Sequence, residues 1–504
     1  MNNLWKKETA HAEYVNLFGS VNDSPVDMYV ELLKTNQAQK DNRRSTEWRF
    51  KGKDLFRQGN WIEAVKCYNK SLCFAEIGSE HVALAYSNRS ACYFHMKLFK
   101  DVLVDIELAK SANLPDRLIP KLEQRKNESL RLMSAVKRMD IFKPKLSYKA
   151  NEHFPCMANV VEMKYSQEFG RHLVAKCDIP VGKTVLVEND IPRIRDEVMV
   201  CYTCLRVNTN CVACPNCADV TFCSIDCMNC NQIHNLECGT FFPHLQRDIR
   251  IQINTILLAI NSFADVDSLM RFVEDALLEN PETLPTSLYD SKSKYHFFFK
   301  LLTSAPHPSG PTNASKIYKI AMNLPKISGL FDSDRKKRFL MHLVLHHELI
   351  INTNACGVDN SKLVGNMFCI LNHSCAPNLL GCIYSGHIFC VSGRPIRKGE
   401  QLFTKYSGTD DVPSNARKTA LKSRWGFDCK CDKCEPTCAP IDRKLITSDP
   451  YYKYLVKNKD NLNGSAIIQK KCVEFLNKYG CLAWSSEIES VFEIYGYHLA
   501  SALV

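Results

Sequence analysis

No run of apolar residues in this chain approaches the roughly 18 that a membrane-spanning helix needs, so no membrane span is expected. The opening residues, Met1 to Glu8, hold no apolar signal region, which argues against secretion. No Ser-His-Asp or paired-carboxylate arrangement is suggested by the spacing of those residues. No segment follows the Cys-x2-Cys-x12-His-x3-His pattern of a DNA-reading finger, so sequence-specific nucleic-acid recognition is not expected either. Cysteine, by contrast, is abundant: 25 in 504 residues. In a short secreted chain that count would mean disulfides. Here, with cysteines in x2 pairs beside a histidine and no signal region, metal binding is the expectation. The chain reads as intracellular and zinc-rich, with cytoplasmic and nuclear placement expected.

A length of 504 residues exceeds one hydrophobic core and implies two to four domains. Hydrophobic content of 45% and charged content of 24% are those of an ordinary soluble protein. The net charge of +11 is unevenly spread. Between Asp116 and Lys145 nine Lys/Arg stand against four Asp/Glu. An acidic partner is one reading of that stretch; a solvated helix face fits the interspersed acids better.

Residues 1–46 hold little beyond a short amphipathic pattern at Met28, Val30, Leu32 and Leu33, read as a helical lead-in. From Glu47 a repeat emerges. Gly52, Leu55, Ala64, Tyr68 and Ser71 align with Ser90, Tyr93, Val102, Ile106 and Ala109 at a constant offset of 38. That is the 34-residue tetratricopeptide period with four extra residues, placed near Ile77–Glu80. Two such repeats need a capping helix, and Leu118 to Met139 fits that role. Val160–Met163, Gly170–Ala175 and Thr184–Glu188 read as short strands. Ile249–Phe263, Ser268–Glu279 and Lys336–Leu349 read as helices, separated by Pro281, Pro285, Pro306, Pro308 and Pro311. Further helices are expected at Gly464–Tyr479 and Glu487–Val504.

The most specific signal is a string of ligand-type residues: Cys201-x2-Cys204, Cys214-x2-Cys217, Cys223-x3-Cys227 and His234-x3-Cys238. Eight thiolate or imidazole groups within 38 residues suit two tetrahedral zinc ions. Cys211-x2-Cys214 is a rival register, and Cys230 is unassigned. A third group is Cys429-x-Cys431-x2-Cys434, whose fourth partner could be Cys375, 54 residues upstream. Cys375 lies in Leu371-Asn372-His373-Ser374-Cys375-Ala376-Pro377-Asn378, which follows Asn352 and Asn354 and precedes Gly399-Glu400 and Tyr406.

In this order the pieces resemble the core of the SET methyltransferases, specifically the SET-and-MYND lysine methyltransferases of the branch with N-terminal tetratricopeptide repeats. The resemblance covers roughly residues 150–435. It implies interleaved chelation in a MYND finger, with Cys201, Cys204, Cys223 and Cys227 on one zinc and Cys214, Cys217, His234 and Cys238 on the other. It implies a third, post-SET zinc on Cys375, Cys429, Cys431 and Cys434. It also implies an S-adenosylmethionine site formed by Gly170, Arg171, His172, Asn354, Asn372, His373, Tyr406 and Phe427, with Tyr406 as the catalytic hydroxyl. Where the family has a second glycine this chain has His172, a side chain able to crowd the cofactor. Trp425 reads as simple core. The short tail suggests a more open cleft than the family's longer helical array gives.

The expected fold is α+β and multidomain. It comprises a lead-in (1–46), tetratricopeptide-like repeats with a capping helix (47–140), the first part of a SET β-core (141–200) and a MYND finger (201–238). A helical insertion (239–351), the second part of the core (352–408), a cysteine-rich post-SET segment (409–438) and a short helical tail (439–504) follow. The expected function is methylation of a protein lysine using S-adenosylmethionine, with further protein partners through the finger and repeats and a monomeric state. The rival is a non-catalytic adaptor whose SET core has decayed.

Overall fold

The computed structural model describes residues 30–31, 39–133, 144–188, 193–195, 200–206, 210–280, 283, 285–303, 314–357, 361–384, 387–406, 413–435, 443–462 and 465–501. The lead-in thus lies almost wholly outside the described residues. So do the end of the capping helix beyond Met133 and Pro306, Pro308 and Pro311.

Four helices form two antiparallel hairpins: α1 (Asn42–Arg57), α2 (Trp61–Phe74), α3 (Glu80–His95) and α4 (Phe99–Lys110). Asp41 starts the first by accepting the N–H groups of Arg43 and Arg44, the donors a helix leaves unpaired at its beginning. Gly52 lies where α1 meets α2: a Cβ there would stand 2.7 Å from the Tyr68 ring, so the helices can approach this closely only over a glycine. The connection between the hairpins, residues 75–79, is longer than those within them. α5 (Ile119–Met133) closes the array, and Arg125 ties it down by donating to Ser90 Oγ at 2.6 Å and Ser87 O at 2.9 Å. A 3-10 turn at Asp116–Leu118 precedes it, and the helix itself begins at Ile119, within the expected Leu118–Met139 stretch.

The cysteine-rich module is a two-rung hairpin, β5 (Val212–Ala213) and β6 (Thr221–Phe222), followed by α6 (Ile225–Asn229) and α7 (Gln232–Glu237). It shares one apolar core with the repeats: Tyr68, Leu72, Tyr86 and Tyr93 pack in the same cluster as Cys201, Val212, Val220 and Phe222. A buried polar knot joins them. Arg89, fully buried, holds Asp105 through two bonds of 2.8 and 2.6 Å, and also donates to Asn69 and to the carbonyl and thiol of Cys211. Asn210 donates to Asp105 from the other side at 2.7 Å.

The β-core is a set of small sheets. β1 (Val161–Ser166) pairs with β2 (Gly170–Ala175), and the central strand β10 (His387–Ser392) lies between β3 (Thr184–Glu188) and β9 (Leu379–Tyr384), all antiparallel. β4 (Arg193–Arg195) pairs with β7 (Ser361–Leu363). The pairing that matters for function is parallel: β8 (Asn372–His373) runs beside β11 (Phe403–Thr404), which carries Tyr406 to the side of His373.

Between the two halves of the core stand α8 (Arg247–Asn261), α9 (Val266–Leu278), α10 (Ser291–Phe299), α11 (Ala314–Met322), α12 (Pro325–Ser328) and α13 (Asp334–Asn354). α13 is buried on nearly every face. It runs five residues past Leu349, so Asn352 and Asn354 belong to its last turn rather than to the core that follows. The Asn354 side chain extends the helix by donating to Ile350 O at 2.8 Å. α14 (Ser414–Trp425), which the sequence pattern did not suggest, precedes the last cysteine group and stops at Gly426, whose φ of +79° favours glycine.

The tail, α15 (Arg443–Thr447), α16 (Pro450–Lys457), α17 (Ser465–Tyr479) and α18 (Ser486–Ser501), docks on the back of β10 and β9. Phe492 lies against Gly393, where a Cβ would come within 2.3 Å of its ring, and Arg394 donates to the carbonyls of Gly480 and Leu482.

Candidate active site and metal centres

Three groups of four ligand atoms each lie within 4.8 Å of one another: Cys201, Cys204, Cys223 and Cys227; Cys214, Cys217, His234 and Cys238; Cys375, Cys429, Cys431 and Cys434. These are the sets that the family resemblance implied. Four sulfur or imidazole donors converging from tight turns and one helical turn form the donor set of structural zinc. In each group hydrogen bonds among the thiols hold one far below its ordinary range and another far above it, Cys201 against Cys223, Cys214 against Cys217 and Cys431 against Cys375. Cys204 and Cys223 act on Cys201, Cys217 and Cys238 on Cys214, and Cys375 and Cys429 on Cys431. The rival ligand Cys211 points its sulfur at Arg89, 2.9 Å away, and Cys230 is exposed with its thiol on Cys227 O.

Residues outside the groups orient them. Glu237, fully buried, meets His234 Nδ1 at 2.6 Å, which turns Nε2 toward Cys214 and Cys217 at 3.2 and 3.6 Å. Arg417 donates to Cys375 Sγ at 3.1 Å and reaches Cys434 Sγ at 3.6 Å, which sets a cation beside the third group. Both roles escaped the sequence reading. The i, i+3 step from His234 to Glu237 was a usable signal; the approach of Arg417 depends on an unforeseen helix.

A cavity of about 720 Å³ opens beside the third group. Its wall includes Gly170, Arg171, Asn354, Asn372, Cys375, Thr404, Tyr406 and Trp425. Trp484, Glu489, Phe492 and Glu493 of the tail complete it, so the short tail walls the cleft that its length had suggested would be more open. Gly170, at φ +60°, makes the turn between β1 and β2. Arg171 is anchored on Lys300 O at 2.6 Å, and Asn372 donates to Phe169 O at 3.0 Å, which holds the same turn from the opposite strand. Asn354 uses its amide nitrogen on Leu302 O and Ile350 O.

His172 does not line this cavity. Its side chain is buried, with Nδ1 bonded to Gly170 O at 2.9 Å and the ring edge-on to Phe169, because alternation along β2 turns it away from the residues on either side. His373 and Phe427 are not among the lining residues but pack on Tyr406, tilted and edge-on, with ring centroids 5.1 and 6.5 Å from its own. Trp425, read from sequence as core, lies in the wall 5.0 Å from the Tyr406 ring and donates to Thr353 O.

Tyr406 stands in this wall. Its hydroxyl donates to Leu371 O at 3.0 Å, and burial pushes its ionisation far above the ordinary phenol range, so it stays a neutral phenol at any physiological pH. His373 Nδ1 accepts the Tyr406 backbone N–H at 2.9 Å. That places its proton on Nε2, 3.2 Å from Cys375 Sγ. Burial first, then Lys405 and Arg417, push the imidazole down to about 4, so it is neutral.

Residues 170–407 match the family model of the SET domain. The chain carries a SET domain. Over 315 residues it is 26% identical to SET domain-containing protein 3 of Caenorhabditis elegans, covering 57% of this chain and 62% of that one. It is 27% identical over 151 residues to protein-lysine N-methyltransferase SMYD4 of Danio rerio, covering 28% of this chain and 19% of that protein. A SET and MYND domain-containing protein of Dictyostelium discoideum is 22% identical, with 62% of this chain and 95% of that one covered. The chain thus spans less than two thirds of the first two relatives. Among solved structures, the SET domain of LSMT bound to MeLysine and AdoHcy covers 68% of this chain at 14% identity and a TM-score of 0.27, too loose a superposition to transfer geometry.

Proposed function

We propose that this SET-domain protein is an S-adenosylmethionine-dependent protein-lysine N-methyltransferase. The observation that carries the reading is the position of Tyr406, a buried neutral phenol in the wall of the cavity that Gly170, Arg171, Asn354 and Asn372 also line. A volume of about 720 Å³ lies within the range that holds a cofactor-sized ligand. Gly170, Arg171, Asn354 and Asn372 would hold the cofactor, which supplies an electrophilic methyl group on sulfur.

The chain's own residues have three tasks. An unperturbed lysine titrates near 10.4, so the target amine must be stripped of its proton; a wall of Phe368, Ile370, Leu371 and Trp425 disfavours the charged form by desolvation. The Tyr406 hydroxyl, already donating to Leu371 O, offers its oxygen as an acceptor that orients the amine. Fixing the nucleophile in line supplies much of the rate, since alignment removes the entropy of encounter.

Two further parts belong to this reading: residues 201–238 as a zinc-loaded MYND finger, and the hairpins of residues 42–133 as tetratricopeptide-like repeats. The adaptor alternative drew its support from His172, which faces away from the cavity. Calorimetric titration of the purified chain with S-adenosylmethionine tests the reading before any substrate is known. Saturable binding that weakens by about 1–3 kcal/mol in Asn372→Ala, the cost of leaving the polar group it would meet in the closed site unpaired, is the expected result. No binding to the folded, zinc-loaded chain would return the adaptor alternative.

A further inference from the structure

Glu188 ends β3 in the middle of the core, 3% exposed, and its carboxylate faces neither solvent nor the cavity. Its two oxygens accept three consecutive backbone N–H groups: Asn366 at 3.1 Å, Met367 at 2.9 Å and Phe368 at 3.0 Å. A buried carboxylate is costly unless such donors surround it, and burial does push this one above the usual carboxylate range. Gly365 makes the approach possible. A Cβ there would lie 2.6 Å from the carboxylate and 2.8 Å from the Phe368 side chain.

The segment so gripped is short and leads to the site. Phe368–Ile370 is one 3-10 turn, closed by Ile370 N–H on Met367 O and Leu371 N–H on Phe368 O. Phe368, Cys369, Ile370 and Leu371 all line the cavity, and Leu371 O is the group that receives the Tyr406 hydroxyl. Only Cys369 and Ile370 therefore separate the last amide held by Glu188 from the carbonyl that aims the phenol.

We propose that Glu188 is a positioning residue for methyl transfer: it fixes the 366–371 turn and, through Leu371 O, the orientation of the Tyr406 hydroxyl. This rests on the methyltransferase reading and adds to it a residue that does not touch substrate or cofactor. Glu188→Gln keeps the size but turns an NH2 donor toward amide donors, so the grip on at least one N–H is lost. Gly365→Ala keeps the carboxylate and pushes it off the turn, a second route should the first variant fold poorly.

The experiment combines labelled-methyl transfer to lysine peptides, cofactor calorimetry and amide hydrogen exchange of residues 366–373 in the full chain. Both variants are expected to lower kcat by about 10- to 100-fold, the scale of a misplaced catalytic group, with cofactor affinity held within about three-fold. In a Tyr406→Phe background Glu188→Gln should cost less than about two-fold more, because the residue acts through the missing hydroxyl. Exchange at 366–373 should quicken in both variants. Unchanged turnover in both, or losses that simply multiply with Tyr406→Phe, would overturn the proposal. If the wild type transfers no methyl, the methyltransferase reading fails instead. Unchanged exchange at 366–373 would then remove the grip itself as well.

Discussion

His373 Nδ1 accepts the backbone N–H of Tyr406 at 2.9 Å while Nε2 stands 3.2 Å from Cys375 Sγ, so one neutral imidazole joins the phenol of the site to a zinc-type cluster. His373→Ala breaks both links and removes the acceptor of the Tyr406 N–H, at a cost of about 1–3 kcal/mol. Denaturant unfolding should show that loss, and methyl transfer should fall because the backbone under Tyr406 is no longer held. Retained stability with full turnover would mean the bridge is incidental.

Metal analysis of protein purified without chelator should return three zinc ions per chain, one for each group of four ligands. Cys429→Ser should weaken cofactor binding more than Cys204→Ser, because the third group contributes Cys375 to the cavity wall and the first contributes nothing to it. Equal losses from the two variants would mean that the clusters do not act separately.

Deletion of residues 1–133 should not leave a well-behaved remainder. It would expose Val212 and Phe222 and strip Cys211 and Asn210 of Arg89 and Asp105. Loss of the two finger zincs, or aggregation, is the expected outcome, whereas a soluble remainder with three zincs would show that the repeats are an independent appendage. Arg89→Leu is the milder test; leaving Asp105 buried without its cation should cost about 3–5 kcal/mol.

Acid should destabilise the helical insertion through α13. Burial pushes His342 and His346 down to about 4, and holds His347 well below its ordinary range, while an unfolded imidazole titrates near 6.5. His347 is bonded to Tyr295 and Thr255 and His346 to Phe299 O, all as neutral rings. Below about 6.5 the unfolded chain takes up protons that the folded one refuses, so this stability is whole above that pH and is lost as pH falls toward 4. His342 and His346 each contribute up to about 3 kcal/mol over that window. His346→Leu should flatten the fall in midpoint between pH 6.5 and 4; an unchanged slope would contradict the assignment.

What the sequence made legible was whatever local spacing encodes. The x2 and x3 ligand steps led through the family resemblance to all twelve clustered residues, and the repeat offset singled out Gly52 and Tyr68 without giving their contact. Helix interiors were also readable, since α8, α9 and α13 keep apolar residues at three- and four-residue steps, although their ends moved by up to five residues. Long-range contacts were not readable. Nothing near Arg89 in sequence announces Cys211, 122 residues away, and nothing near Glu188 announces the 366–368 amides. The side chain of His172 was misjudged because its face of the strand depends on register, which only the pairing with β1 sets.

The account turns on Tyr406, and one assay reaches it directly: transfer of labelled methyl from S-adenosylmethionine to lysine in a peptide library, by wild type and Tyr406→Phe side by side. The wild type should label lysine, and Tyr406→Phe should bind cofactor near-normally while turnover falls by orders of magnitude, as expected when a contact made in the transition state is removed. Full turnover in Tyr406→Phe would contradict the role given to this hydroxyl, and with it the account of the site.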